Sequence, residues 1–182
     1  VRVQAANQEI NAQKTPVERL FHLADWSMGG AHTYLDSRRL MDKRIAAANE
    51  TQKVSELIVA AKFMLGQGLP QEGLGFLDMA LAYMPLLGDS ADFQAVRGAL
   101  LALSYQGEAA MAAFSTQGLE TKEEVKLWEA FVLGQQGRMA DAEKLVPATA
   151  VEFLASYPLR VQALMLRPFI DMALGHGDIA LA

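Results

Sequence analysis

The stretch Leu57-Ile-Val-Ala-Ala-Lys-Phe-Met-Leu-Gly-Gln-Gly-Leu-Pro-Gln-Glu-Gly-Leu-Gly-Phe-Leu-Asp-Met-Ala-Leu-Ala-Tyr-Met-Pro85 decides the fold. Leu57, Ala60, Ala61, Met64 and Leu65 keep the three-and-four spacing of one helical stripe. Gly66 and Gly68 supply a stop that favours positive φ, and Pro70 prepares a new start. Leu74, Leu77, Ala80, Leu81 and Met84 then form a facing stripe. The reading is a pair of antiparallel helices, with Ala60, Ala61, Gly73 and Ala80 where the axes come closest. Neither stripe buries itself, so the pair needs neighbours.

Those neighbours are legible on both sides. Upstream, residues 1–14 are polar with weak periodicity and read as an arm. Thr15-Pro16-Val17-Glu18 has the form of a helix start, with Leu20, Leu23, Ala24 and Trp26 inward and a stop at Gly29-Gly30. A second helix is expected from about Ala31 to Ala48, with Leu35, Leu40, Met41 and Ile45 apolar. Its other face carries Asp36, Arg38, Arg39, Asp42, Lys43 and Arg44, mixed signs at helical spacing that read as a solvated face. Downstream, Asp89-Ser90 and Thr121-Lys122-Glu123-Glu124 are helix-start signals. Phe93, Val96, Leu100 and Leu103 line one helix, and Leu127, Trp128, Phe131, Val132 and Leu133 the next. A last helix from Pro158 holds Val161, Leu164, Leu166, Phe169, Ile170 and Ala173, with Pro168 inside it predicting a kink. The segments are 15–50, 51–87, 89–119, 121–146 and 148–182, read together as one domain over 15–182.

The glycines that end these helices repeat. Gly68, Gly107, Gly137 and Gly177 lie 39, 30 and 40 positions apart. Each has an apolar residue four positions before it and a small residue five after it. Periods of this size mark arrays of helical hairpins. The chain resembles the tetratricopeptide repeat (TPR) superfamily. In a frame of about 34 residues starting at Val54, the small or apolar positions fall on Leu57, Ala60, Ala61, Met64, Gly68, Gly73, Leu77 and Ala80, and the closing proline on Pro85. The later units keep the glycine and the following alanine but not the proline.

The resemblance implies an all-α fold, a right-handed α-α superhelix of antiparallel hairpins. It also implies a concave groove, lined by the first helix of each hairpin, that receives a peptide or protein partner. Transferred to this chain, the lining is Ile58, Lys62, Leu65, Arg97, Leu101, Tyr105, Leu127 and Phe131. Read from apolarity alone, several of these, Leu127 and Phe131 first, are buried between neighbouring helices instead. The function expected is a non-enzymatic protein-interaction scaffold. The other reading is a structural spacer or homo-oligomerisation segment that stacks through its terminal repeat.

Composition narrows the remaining classes. The chain is 52% hydrophobic and 20% charged, enough apolar material for an ordered core. A net charge of -5 argues against nucleic acid as partner. No apolar run reaches the ~18 residues of a membrane span, so no membrane insertion is expected. The absence of cysteine removes disulfides, thiolate metal sites and cysteine catalysis, and leaves cytoplasm or periplasm open, with a lean to a bacterial cell envelope. The start at Val1 and the end at Ala182 suggest a piece of a longer protein.

Chemistry-bearing motifs are sparse. The Gly66–Gly75 segment lacks the register and the preceding strand of a phosphate loop and reads as a hairpin turn. His22, His32 and His176 have no companion ligands at metal-site spacing. Glu123 and Glu124 are adjacent, so they face apart on a helix and read as partners of its N-terminal dipole. No catalytic residue, cofactor or metal is expected.

Overall fold

In the computed structural model residues 18–175 are described, with side chains over 18–170, and all regular structure among them is helical. The elements are α1 (Leu23–Trp26), α2 (Tyr34–Ala47), α3 (Glu50–Gly66), α4 (Pro70–Tyr83), α5 (Ala91–Leu103), α6 (Gly107–Phe114), α7 (Glu123–Gln135), α8 (Met139–Leu145), α9 (Ala150–Ala155) and α10 (Leu159–Gly175), with 3-10 turns at Gly30–Thr33 and Pro85–Asp89. The starts read at Thr15-Pro16 and the repeat at Gly177 lie outside the described residues.

Three hairpins carry the architecture: α3 packs on α4, α5 on α6 and α7 on α8. Each second helix also meets the first helix of the next pair, α4 on α5 and α6 on α7, and the first helices touch in a row, α3 on α5 and α5 on α7. Beyond the third hairpin, α9 and α10 pack back on α7, while α1 and α2 pack on α3. One apolar cluster runs through this arrangement from Phe21 to Met165, with Trp128, Phe63, Phe114, Phe131 and Phe153 fully buried.

Local chemistry explains the boundaries. Asn49 caps α3 reciprocally with Gln52: its side chain accepts from the Gln52 amide at 3.0 Å, and Gln52 accepts from the Asn49 amide at 3.4 Å. At the other end Gly68 takes φ +65° while Leu69 N–H reaches back to Met64 C=O at 2.9 Å, a Schellman closure. Gly137 does the same after α7 at φ +73°, with Arg138 N–H on Leu133 C=O. After α5 the equivalent position is Tyr105, at φ +59°, with Gln106 N–H on Leu101 C=O at 3.0 Å. Gly107, aligned with Gly68 on sequence, is instead the first residue of α6. The true closures are thus 37 and 32 positions apart. An alignment on glycine missed the second because an aromatic residue holds the left-handed conformation there.

Two other expectations are corrected. Of the helix read from Pro16 to Trp26, the described residues hold only the single turn of α1, and residues 18–22 are non-helical. The stripe of α2 is Tyr34, Arg38, Met41 and Ile45, with Leu35 and Leu40 largely exposed. Tyr34 stacks on Phe63 at 5.7 Å and the Arg38 guanidinium lies over Phe76 at 5.3 Å, so a cation and an aromatic ring take places where leucines were expected. Of the charged face read on α2, Arg38 pairs with Asp42 one turn on at 3.0 Å, while Arg44 reaches across to Glu56 of α3 at 2.8 Å, a contact between helices that the reading of a solvated face did not include. Pro168 lies inside the last helix, as the sequence placed it.

Candidate functional site

The row α3, α5, α7 presents one face to the chain's own residues 18–27, and this face is the candidate site. Its deepest polar group is Glu124, 1% exposed, on the first turn of α7. One carboxylate oxygen accepts the main-chain N–H of Leu20 at 2.6 Å and of Phe21 at 3.0 Å. The other accepts the Tyr157 hydroxyl at 2.8 Å, whose oxygen in turn accepts the Trp128 indole N–H at 3.2 Å. A carboxylate so far from water must find its donors inside the protein, and here it has three. Burial first, and the Glu124 charge second, push the Tyr157 phenol well above its usual range, so it stays a donor.

The same contacts explain why residues 18–22 are not helical. The amides of Leu20 and Phe21 are taken by Glu124, a partner more than a hundred positions away, in place of carbonyls along a helix. Burial then alternates, Phe21 and Leu23 at 1% and His22 and Ala24 exposed. Phe21 lies 5.5 Å from the Trp128 ring. Arg19 hydrogen-bonds the Ser156 hydroxyl, reaches the Glu152 carbonyl at 2.9 Å, and lies 5.7 Å over the Phe153 ring. Glu18 pairs with Lys122 at 2.6 Å. At the α3 end, Gln67 donates to the Ser27 carbonyl at 2.7 Å, and the Lys62 ammonium sits 5.0 Å over Trp26. Gly66 allows main chain to touch main chain: a Cβ there would lie 2.8 Å from the Leu23 carbonyl oxygen and the Ser27 nitrogen.

The eight residues assigned to a groove by the resemblance divide accordingly. Leu65, Leu101, Leu127 and Phe131 are 5% exposed or less and belong to the core. They form no open lining, because neighbouring helices close over them, as apolarity alone implied for Leu127 and Phe131. Ile58, Lys62 and Arg97 are half-buried, and Lys62 is engaged by Trp26. Arg97 keeps its Nε out of solvent without a hydrogen-bond partner among the described residues. Tyr105 is 66% exposed. Glu124, Tyr157 and Trp128 were not read as a site. The pair Glu123-Glu124 splits as its helical spacing requires, with Glu123 at the rim accepting the Thr149 hydroxyl at 2.7 Å. The signal that separates them is helical phase: Glu124 lies three, four and seven positions before Leu127, Trp128 and Phe131, on the buried stripe, and Glu123 lies about 100° away from it.

Among the described residues no group of His, Asp or Glu is arranged to hold a metal ion, and no helix is long and apolar enough to cross a membrane. No known protein family, curated protein or solved structure matches the chain.

Proposed function

We propose that the chain is a non-enzymatic protein-interaction scaffold, a TPR-like segment of right-handed superhelix that receives a partner's peptide along the row α3, α5, α7. The observation that carries this reading is the segment 18–27: a largely non-helical stretch of peptide lies on that row, held by main-chain hydrogen bonds and by apolar side chains at alternate positions. Main-chain capture with alternate side-chain anchoring is one of the recurring ways in which extended peptides are recognised. Two features of α5 and the turn that closes it support a partner beyond the segment. Tyr105 is an exposed aromatic residue in a conformation that costs an ordinary side chain about 1–2 kcal/mol. Arg97 holds a buried donor with no acceptor among the described residues.

A photo-crosslinking amino acid at position 105 of the full chain, irradiated in the source cells, tests this. A discrete protein adduct, weaker or absent from position 43 on the exposed face of α2, is expected. Equal smears from both positions would sink the reading. The second reading, a homo-oligomerising segment, is favoured by Leu166 and Ile170, each 38% exposed one turn apart on α10. It predicts a dimer by light scattering that Ile170→Asp dissociates.

A further inference from the structure

We propose that the face of α3, α5 and α7 is a receptor for short linear segments of the pattern Arg-x-Phe-x-Leu. Residues 18–27 close it in cis, and a segment of the same chemistry from another protein opens it by displacement. This rests on the scaffold reading and names the partner that such a scaffold takes.

Four observations carry it. First, the anchor reads main chain: Glu124 holds two consecutive amides whatever side chains they bear, and its geometry is set by Tyr157 and Trp128, not by the segment. Second, three side-chain sites define the pattern. Arg19 is satisfied at the edge of that face, by the Glu152 carbonyl and Phe153 ring of α9 and the Ser156 hydroxyl just after it, Phe21 is buried against Trp128, and Leu23 is buried beside α3. Third, the segment joins α2 through Met28, Gly29 and Gly30, at φ +48°, +89° and +78°. Three consecutive residues at positive φ form a turn in which Met28 is strained and which precedes the first residue of α2. Fourth, the segment does not fill its trough. A cavity of about 270 Å³ lies beside it, walled by Lys62, Asp92, Ala95 and Val96 on the receptor side. A segment with a larger residue at the position of Leu20 or His22 therefore has contact to gain over the resident one.

A fluorescent peptide copying residues 18–28 is titrated into the full chain, the full chain carrying Phe21→Ala and Leu23→Ala, and that variant with Glu124→Gln added. Anisotropy is expected to show at least tenfold tighter binding to the Phe21→Ala, Leu23→Ala chain than to wild type, and a tenfold loss on adding Glu124→Gln. Equal affinity for wild type and the vacated variant overturns the proposal, as does no binding to a vacated variant with native far-UV circular dichroism. If that variant does not fold, hydrogen exchange in wild type decides. Millimolar peptide is expected to speed exchange at Leu20 and Phe21 but not at Leu100 in α5, and unchanged rates overturn the displacement. Crosslinks at position 105 that persist while the peptide fails leave the scaffold reading standing and remove only this receptor.

Discussion

Glu124 follows Glu123 in sequence, and a turn of one helical position separates an exposed rim carboxylate from one with three internal donors. The partner that reports on it best is Tyr157. Its phenol is held protonated where the unfolded chain has already released the proton, so the native state binds more protons above the ordinary tyrosine value of about 10. Stability therefore falls as pH rises past that value, by up to about 1.4 kcal/mol per pH unit from this one group. Tyr157→Phe is expected to cost about 1–3 kcal/mol at neutral pH, because the Trp128 N–H loses its acceptor and Glu124 one donor. The same variant flattens the alkaline decline. Urea midpoints measured on both sides of the phenol value check both effects, and parallel pH profiles for the two chains would show that Tyr157 does not hold this proton.

At the scale of the element, glycines inside helices separate packing from propensity. Gly98 in α5 faces Phe114 of α6 so closely that a Cβ would lie 2.5 Å from the ring, whereas Gly75 in α4 has nothing within 4 Å. Gly98→Ala forces α5 and α6 apart and is expected to destabilise by about 1–3 kcal/mol. Gly75→Ala meets no neighbour and gains helix propensity, raising stability by up to about 1 kcal/mol. Thermal melts of the two variants should move in opposite directions, and a fall for both would mean that backbone freedom, not contact, governs these positions. The helix starts teach a related lesson. The Thr121-Lys122-Glu123-Glu124 motif resembles a capping box, yet Lys122 occupies the cap position with no side-chain bond to the helix end and Glu124 serves a distant segment. A local motif offers a hydrogen bond; a buried competitor with two unsatisfied amides takes it.

For the whole molecule, the segment 18–27 couples sites that sequence keeps far apart. Gly66 on α3 and Glu124 on α7 touch it at opposite ends. Gly66→Ala puts a Cβ against main chain that cannot swing aside, while α3 itself tolerates alanine, so its effect is expected to fall on the segment. Glu124→Gln leaves the Tyr157 hydroxyl hydrogen or the Leu20 and Phe21 amides without an acceptor. Once either change has loosened the segment, the other has less to lose. A double-mutant cycle should therefore show coupling of about 0.5–3 kcal/mol between the two positions, and additivity within about 0.5 kcal/mol would mean they do not act through one element.

How much of this was legible follows from the range of each interaction. The apolar stripes of α3, α4, α5 and α7, the hairpin turn at Gly66–Pro70 and the Arg38–Asp42 pair of α2 depend on neighbours a few positions away, and the sequence by itself determined an all-helical chain of packed hairpins. The closure at Tyr105 was hidden because turn chemistry favours glycine without requiring it. The site was hidden for a stronger reason. Residues 18–22 carry a respectable helical pattern, and nothing near them says that their amides belong to a carboxylate on α7. Only the tertiary structure decided that, because a buried carboxylate binds whichever donors the fold brings within reach, and that choice outweighs the helix propensity of five residues.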